Sequence, residues 1–439
     1  MRRIYIFLSL LFFLLLCSQL TKIKQLPFFN RDGKLAYIQG SDVWVKLLPN
    51  GLPHRLTTDG GNSNPEWSHS GNWLAFRRNS QLWIMQYNGE KIRMAGEVVH
   101  VNAFAWSPGD DRIAYLTKAG ELWAAHADGS ETTLLAKNGI PGSEVKQITE
   151  FVWSPDGNWI VYSLREWPDE NSNQNPPHES FRKVSSKGGM ASEVYAISFK
   201  KEDVWEPGEI ILAGWVDDQI LFWQTEIMSA SLLSDGASLY SLPVNREKQQ
   251  AHNLDICTLV WHGIIANSSD KKLFAIAEGC GRESYTGKNI AVVNPSAGKS
   301  SSVTDDSVAA IWPSWSPDGR QIAYTACPDN GTTHVDEPIT SRTSQRRIWV
   351  MDSNGSNKRK LTDDENYRDE RPIWLANGRR LLFVRIDQDD KPSLWLINVG
   401  GGKLESIIET LSPKNPGERW PDNYYGYIKW SDCFNYSPK

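Results

Sequence analysis

The sequence predicts an all-β fold assembled from repeated four-stranded antiparallel units. Eight times along the 439 residues, an aromatic residue, a tight polar turn and an apolar run follow one another. The clearest copies are Trp67-Ser-His-Ser-Gly-Asn-Trp-Leu-Ala-Phe76, Trp106-Ser-Pro-Gly-Asp-Asp-Arg-Ile-Ala-Tyr115, Trp153-Ser-Pro-Asp-Gly-Asn-Trp-Ile-Val-Tyr162 and Trp315-Ser-Pro-Asp-Gly-Arg-Gln-Ile-Ala-Tyr324. A period of this size marks a repeat architecture. A ring of such units is a β-propeller, in which each unit is one blade.

Each copy is located by its anchor, the position at which the aromatic residue stands. The anchors are Phe28, Trp67, Trp106, Trp153, Trp215, Ala266, Trp315 and Trp374. The copy at Trp215 lacks the Ser-Pro turn, and the copy at Ala266 has lost the aromatic residue. Both copies keep an apolar second strand at the expected offset. The sequence therefore predicts eight blades, with seven as the alternative if one of these two copies is not a blade.

The second copy illustrates the strands of one unit. Its strands are predicted to end at Trp67, to span Trp73–Arg77 and Gln81–Gln86, and to lie around Ile92. The dipeptide Asn88-Gly89 follows the third strand, and Asn-Gly between apolar runs is a strong hairpin signal. An anchor tryptophan supplies a large apolar surface between blades and an indole N–H that needs a partner. We therefore interpret the anchors as structural.

The two ends of the chain predict that the ring is closed. The first copy, Phe28-Phe-Asn-Arg-Asp-Gly-Lys-Leu-Ala-Tyr37, has little room for a first strand. The segment Tyr427-Ile-Lys-Trp430-Ser-Asp432 resembles a first strand with nothing after it. Because exposed strand edges invite aggregation, we predict that Tyr427–Trp430 pairs in the same sheet as Leu35–Ile38.

Two pairs of phrases carry a family resemblance. The phrases are Leu56-Thr-Thr-Asp59 with Pro65-Glu-Trp67-Ser, and Leu361-Thr-Asp-Asp364 with Pro372-Ile-Trp374. They resemble the TolB-type, WD40-like (PD40) propeller repeat, over about residues 28–439. That repeat also occurs in the propellers of prolyl-oligopeptidase-like enzymes. The resemblance implies the propeller fold, and we expect no serine-hydrolase domain because roughly the whole chain is spent on blades.

The first 25 residues are predicted to be a signal sequence or membrane anchor, and residues 26–439 the propeller. A basic start, Met1-Arg-Arg, precedes the apolar run Ile4–Leu20, a pattern typical of export. A retained anchor is our favoured interpretation, while lipidation at Cys17 and a cleaved signal stay open. The positive-inside rule places the basic start in the cytoplasm. We therefore expect a membrane-anchored propeller on the periplasmic or extracellular side.

Composition and motifs argue against several functional classes. The formal net charge of −5 and the pI of about 6.0 do not fit a nucleic-acid-binding surface, which needs a basic face. The sequence contains no phosphate loop, no Gly-x-Ser-x-Gly elbow and no His-Glu-x-x-His motif. We therefore expect neither a cofactor nor a metal. We also expect the chain to be a monomer.

Four cysteines follow Cys17, and none has the Cys-x-x-Cys spacing of a zinc or redox site. Cys280 and Cys327 lie 14 and 12 residues past the anchors Ala266 and Trp315. Since adjacent blades would bring equivalent positions together, we predict a disulfide bond between them.

Loop lengths predict where a partner binds. Second-to-third and fourth-to-first connections share one face, which we name the long-loop face; the other connections share the short-turn face. The insertions 166–190, 326–346 and 411–427 all fall on the long-loop face. Loops on a rigid scaffold commonly carry function, and aromatic residues and Arg are enriched at interfaces. The candidate binding residues are Trp167, Arg368, Arg371, Trp420, Tyr424 and Tyr425.

The sequence leaves two functions open. The first is a scaffold that binds a protein or peptide on the long-loop face. The alternative is a propeller enzyme, a lyase or hydrolase acting on glycans or peptides, with titratable residues converging at the mouth of the ring.

Overall fold

The computed structural model describes residues 32–96, 100–138, 145–167, 178–198, 209–225, 236–244, 250–331, 339–411, 426 and 428–439. In these ranges the chain is nearly all β and forms seven antiparallel sheets. The helices described are single turns, at His262–Ile264, Ile339–Thr343 and Trp430–Asp432. None of them is long or apolar enough to cross a membrane. The predicted N-terminal signal or anchor lies outside the described residues.

The strands follow one another in chain order, and the sheets are numbered likewise. Sheet 1 begins with β1 (Lys34–Gln39), β2 (Asp42–Leu47) and β3 (His54–Arg55). Sheet 2 contains β4 (Asn62–Trp67), β5 (Trp73–Arg78), β6 (Gln81–Gln86) and β7 (Arg93–Met94). Sheet 3 contains β8 (Val101–Trp106), β9 (Arg112–Thr117), β10 (Glu121–His126) and β11 (Thr133–Lys137). Sheet 4 contains β12 (Val145–Trp153), β13 (Trp159–Trp167), β14 (His178–Ser185) and β15 (Ser192–Ser198).

Sheet 5 is the largest. Its first half contains β16 (Ile210–Val216), β17 (Gln219–Gln224), β18 (Ala237–Pro243) and β19 (His252–Thr258). Its second half contains β20 (Ile265–Asn267), β21 (Phe274–Glu278), β22 (Asn289–Asn294) and β23 (Lys299–Ser302). Sheet 6 contains β24 (Val308–Trp315), β25 (Gln321–Pro328), β26 (Arg347–Asp352) and β27 (Arg359–Lys360). Sheet 7 contains β28 (Arg368–Trp374), β29 (Arg380–Ile386), β30 (Pro392–Asn398) and β31 (Glu405–Ile408), and β32 (Phe434–Ser437) completes sheet 1.

The sheets fit propeller blades. Each four-stranded sheet is a meander in which every strand pairs with the next one along the chain, except that β32 lies beside β1. The first strands of successive units contact one another, as β12 does with β16 and β24 does with β28, so they form the inner ring. The two halves of sheet 5 are joined through a single pair, Thr258 with Glu278.

The anchor tryptophans join neighbouring units, as their residue type predicts. Each of five indole Nε1 atoms donates a hydrogen bond to a backbone carbonyl in the first strand of the preceding unit. The pairs are Trp67 with Asn435 at 3.2 Å, Trp106 with Glu66 at 2.9 Å, Trp153 with Ala105 at 3.0 Å, Trp315 with Ala266 at 3.0 Å and Trp374 with Ser314 at 3.0 Å. These bonds satisfy a buried donor and fix the spacing between units.

Closure by the C-terminal strand is confirmed, but the predicted strand was wrong. The strand that pairs with β1 is β32, from Lys34 opposite Ser437 to Tyr37 opposite Phe434. Trp430 instead begins a 3-10 turn. The reason is that Tyr436-Ser437-Pro438 is itself a copy of the anchor phrase, with tyrosine in place of tryptophan.

The tight turn of this copy is divided between the two ends of the chain. Asp32-Gly33 supplies its second half, and Gly33 has the positive φ of 103° that this position needs. The Tyr436 hydroxyl donates to the carbonyl of Asp32 at 2.7 Å. Tyr436 is therefore the anchor of the first unit, whereas the predicted anchor Phe28 lies outside the described residues.

The disulfide prediction was wrong. Cys257 and Cys280 form the bond, with their Cα atoms 5.2 Å apart, and Cys327 and Cys433 are buried free thiols. Cys257 lies in β19, and Cys280 follows β21, the two strands that join the halves of sheet 5. The Gly279 amide donates to the Cys257 carbonyl at 2.7 Å. The sequence could not reveal this because the cross-sheet pair has no repeat equivalent.

Reduction of this bond should destabilise the protein by about 2–4 kcal/mol, because the cross-link restricts the unfolded chain. The free energy of unfolding in urea, measured with and without a phosphine reductant, checks this. The double variant Cys257→Ser, Cys280→Ser is the matched control and should not respond to the reductant. An equal free energy for the oxidised and reduced native protein would contradict the assigned role.

Candidate functional site

The six predicted binding residues fall into three groups. Arg368 begins β28, at its long-loop end, and Arg371 lies in the middle of the strand. Trp167 is the last residue of β13, and its side chain is not described. The insertion 166–190 was predicted to lie wholly on the long-loop face, which was wrong at its C-terminal end, because residues 178–185 form β14 and Met190 lies in the short turn between β14 and β15. Trp420, Tyr424 and Tyr425 lie outside the described residues. Only the two arginines can therefore be placed together.

A buried carboxylate, Glu370, organises this end of β28. The Arg346 guanidinium donates to one Glu370 carboxylate oxygen at 2.7 Å, and the Trp430 indole donates to the other at 3.1 Å. The side chains of Arg346 and Glu370 are only 1% and 0% exposed. A buried ion pair is tolerated only where further hydrogen bonds satisfy both groups.

Arg346 supplies those further bonds. It donates to the carbonyl of Gly426 at 2.8 Å and to the hydroxyl of Ser284 at 2.7 Å, and lies 5.1 Å from the centre of the Trp312 ring. One guanidinium thus connects a loop of sheet 5, sheets 6 and 7, and the C-terminal segment. We name this set, centred on Arg346 and Glu370, the buried charge network. In the sequence, the predicted tyrosines at 424 and 425 immediately precede Gly426.

A second ion pair fixes the start of β28. Arg385 donates to both carboxylate oxygens of Asp369, at 2.7 and 2.9 Å, and both side chains are buried. The guanidinium also lies 4.6 Å from the centre of the Tyr367 ring and 5.4 Å from that of Trp395. Such bidentate, ring-stacked geometry is specific to arginine. The site therefore rests on a rigid strand end.

The two predicted arginines also form hydrogen bonds within the protein. Arg368 is 7% exposed and donates to the Thr343 hydroxyl at 2.9 Å. Arg371 has a φ of 54°, precedes Pro372 at a β-bulge, and donates to the carbonyl of Gly263 at 3.2 Å. Through these contacts, Arg368 holds the segment that contains Thr343, and Arg371 holds the turn that contains Gly263. Their contact with a partner stays a prediction.

An open cleft of about 440 Å³ lies beside the network, at the long-loop end of sheet 6. Its lining includes Cys327, Gln345, Arg347, Trp349, Lys360 and Glu365. Arg347 donates to the backbone carbonyl of Arg346 at 2.7 Å, which couples the cleft to the buried charge network. The lining combines both charges with an aromatic residue. The sequence signal for this cleft was the insertion 326–346, but not the individual residues.

Two carboxyl groups on first strands have raised pKa values. Burial raises the pKa of Glu66 in β4 to about 7, opposed by the charges of Lys429 and Arg77. Burial raises the pKa of Glu150 in β12 to about 8, opposed by the hydrogen bond from the Leu212 amide. Among the described residues, no group of three or more His, Cys, Asp or Glu side chains could hold a metal ion.

The raised pKa of Glu150 predicts how stability depends on pH. The folded state binds this proton more tightly than the unfolded state, whose pKa is near 4.5, so its contribution to stability falls as pH rises from about 4.5 to about 8. Glu150→Gln should therefore flatten the decline in the free energy of unfolding between pH 5 and pH 8. The exposed Glu90→Gln is the control. Parallel pH profiles for wild type and Glu150→Gln would refute the assignment.

Comparisons with known proteins support the fold. No protein-family model matches the chain, and no curated protein matches it. The dipeptidyl peptidase 4 of Porphyromonas gingivalis is similar with a TM-score of 0.59 and 11% identity, over 85% of this chain and 57% of that chain. A eukaryotic initiation factor has a TM-score of 0.50 and 14% identity, over 86% and 96% of the two chains.

A putative TolB from Agrobacterium tumefaciens is 15% identical over 92% of this chain and 98% of that chain. Its TM-score of 0.37 is too low to support an argument about the family. At identities of 11–15%, likeness informs on the fold alone. Together with the four-stranded sheets, the likeness to the dipeptidyl peptidase 4 and to the initiation factor identifies the chain as a β-propeller.

Proposed function

We propose that the chain is an extracytoplasmic, membrane-tethered propeller that binds a protein or peptide on its long-loop face. One observation carries the proposal: an open cleft with charged and aromatic lining is connected to the buried charge network through Gln345 and Arg347, which flank Arg346. A binding surface needs such rigid support to keep its geometry. The lining, with both charges around an aromatic side chain, suits a polypeptide. The proposal includes no nucleic acid, no cofactor and no second copy of the chain.

We propose eight blades rather than seven, built from TolB-type repeats. The two degenerate copies each begin one half of sheet 5, since Trp215 lies in β16 and Ala266 in β20. Each half has its own four strands, and a single residue pair joins them. The Ser-Pro-Asp-Gly turn supports the assignment to TolB-type repeats. In one such turn, the Ser154 hydroxyl donates to Asp156 at 2.5 Å and accepts from the Trp159 amide at 2.9 Å.

The proposed location rests on two features. The apolar run Ile4–Leu20 after a basic start is typical of an export signal or anchor. The Cys257–Cys280 disulfide fits an oxidising compartment outside the cytoplasm. A retained anchor, lipidation at Cys17 and a cleaved signal remain the three alternatives, of which the first two give a tether.

Aromatic residues in the long loops should carry the affinity. Trp420→Ala and Trp167→Ala should each weaken partner capture at least about tenfold, because truncating an aromatic anchor costs about 2 kcal/mol or more. The partner is first identified by co-purification from membranes, and its affinity for each variant is then measured. Asp156→Ala and Asn354→Ala, in short turns of the opposite face, are the controls and should bind normally. Loss of capture only in these controls would overturn the proposal.

The alternative function, a lyase or hydrolase acting on glycans or peptides, has its own support. General acids work best with a pKa near the working pH, and the pKa values of Glu66 and Glu150 are raised to about 7 and about 8. In the described part of the chain, one carboxylate oxygen of Glu66 is buried without a hydrogen-bond partner. If this alternative holds, Glu66→Gln should abolish turnover of the glycan or peptide substrate without lowering the melting temperature. Unchanged turnover would remove this candidate.

A further inference from the structure

The short-turn face carries an apolar rim that no contact within the described residues covers. In the part of the chain that the structure describes, six large apolar side chains are exposed, and all lie at or near the short turns of sheets 1–4. They are Leu52, Tyr87, Ile92, Leu134, Trp159 and Met190. Leu52 is 81% exposed and Met190 98%. Single exposed apolar residues need no explanation, but a run on consecutive units marks an interaction surface.

The turns and strand ends that carry the rim touch from one sheet to the next. The Lys34 ammonium of sheet 1 lies 5.1 Å from the centre of the Tyr87 ring of sheet 2. Arg93, which follows Ile92, donates to the Ala127 carbonyl of sheet 3 at 2.6 Å. In sheet 4, Gly188 in the turn of Met190 lies so close to Thr133, the neighbour of Leu134, that a Cβ at position 188 would lie 2.8 Å from the Thr133 methyl group. The turns and strand ends that carry the exposed side chains are therefore contiguous from sheet 1 to sheet 4.

Lysines stand beside the apolar side chains. The Lys183 ammonium lies 4.5 Å from the centre of the Trp159 ring, Lys91 precedes Ile92, and Lys187 shares the turn of Met190. Exposed aromatic and aliphatic side chains next to lysine are typical of proteins that lie on an anionic bilayer surface. The turns of sheets 2 and 4 also carry Glu90 and Asp156, but the turn of sheet 3 carries Asp128 and Glu131 without any lysine, so the contact falls mainly on sheets 1, 2 and 4.

The N-terminal segment enters the fold from the same face. The Asp32 amide donates to the Leu48 carbonyl at 3.2 Å, and its carboxylate pairs with Arg380 at 2.8 Å, beside a short turn of sheet 7. Eleven residues, 21–31, separate Asp32 from the end of the apolar run at Leu20. Fully extended they reach about 36–40 Å. The described chain therefore begins at the short-turn face, at most that distance from the apolar run.

We infer that the short turns of sheets 1, 2 and 4 rest on the anionic bilayer surface that holds the N-terminal segment. The long-loop face then points away from the membrane, towards a partner. This inference rests on the proposed tether, and it adds the orientation of the propeller.

Labels placed on the two faces test the orientation. The full chain is reconstituted in vesicles of phosphatidylethanolamine and phosphatidylglycerol, with or without a spin-labelled quencher lipid. Leu52→Cys and Met190→Cys each carry a fluorophore on the short-turn face, and the exposed Glu365→Cys carries it on the long-loop face. Labelled wild type is the blank for the native cysteines. The labels at 52 and 190 should lose at least about half of their emission to the quencher, since an interfacial apolar face lies ~5–10 Å into the head groups. The label at 365 should lose none.

Each other outcome contradicts a defined part of the account. If a carbonate wash removes the full chain from the vesicles, the tether and the orientation fail together. If the chain stays and only the label at 365 is quenched, or all three labels are, or none is, the tether stands and the orientation is overturned. Labels at 52 and 190 that are shielded without lipid quenching, in a chain that sediments as a dimer, would assign the rim to a second copy and also overturn it.

Discussion

Replacing Arg346 by methionine should lower the free energy of unfolding by about 3–5 kcal/mol, since the buried Glu370 would then have only the Arg368 guanidinium, 3.8 Å away, as an opposing charge. The variant would also lose the bonds from Arg346 to Gly426 and Ser284. It should therefore loosen the loop of sheet 5 and the C-terminal segment together. Urea unfolding monitored by tryptophan fluorescence measures the loss.

The exposed Arg320→Met, in a short turn of sheet 6, is the matched control and should change the free energy of unfolding by less than about 0.5 kcal/mol. The double variant Arg346→Met, Glu370→Leu should regain much of the loss, because it removes the buried carboxylate that has lost its hydrogen-bonded arginine. If Arg346→Met were as stable as Arg320→Met, the buried charge network would not be what supports the long-loop face.

Deleting residues 426–439 should abolish cooperative unfolding. The deletion removes β32, so β1 becomes an open edge and the Trp67 indole loses its acceptor on Asn435. It also removes Trp430 from Glu370. Without β32 the ring is no longer closed, so strand edges and apolar surface become exposed, which favours aggregation. Calorimetry and light scattering of the truncated chain measure both effects.

Tyr436→Phe is the mild counterpart, since it keeps β32 and loses only the hydroxyl contacts with Asp32 and Ala376. It should cost about 1–3 kcal/mol and preserve a cooperative transition. A truncated protein that melts at the temperature of the full chain would show that closure by β32 contributes nothing to stability.

The repeat explains why much of the fold could be predicted from sequence. Anchors such as Trp106 and Trp153 recur with the same turn, and each indole makes the same bond to the preceding unit. The closing strand was misplaced because its anchor is Tyr436 and its turn is completed by residues from the other end of the chain. The signal for it in the sequence is the Ser-Pro dipeptide directly after the aromatic residue Tyr436.

From the sequence, the candidate site could be located only to the long-loop face of the propeller. Loop lengths located the insertion 326–346 that borders the cleft. The sequence could not distinguish a buried arginine from an exposed one, so Arg368 and Arg371 were expected at the surface, whereas Arg346 was missed. Burial of a charge depends on a partner distant in sequence, as Arg346 and Ser284 illustrate. The apolar rim was missed for a similar reason, because its members come from different units.

Site-specific photo-crosslinking in native membranes tests the central claim most directly. A photoreactive residue is placed at Gln345, exposed in the cleft, or at Asn354, exposed in a short turn of the same sheet. The two positions share one sheet and differ in the face they occupy. The account predicts a discrete protein adduct from position 345 and none from position 354. A protein adduct from position 354, with none from 345, would contradict partner binding on the long-loop face.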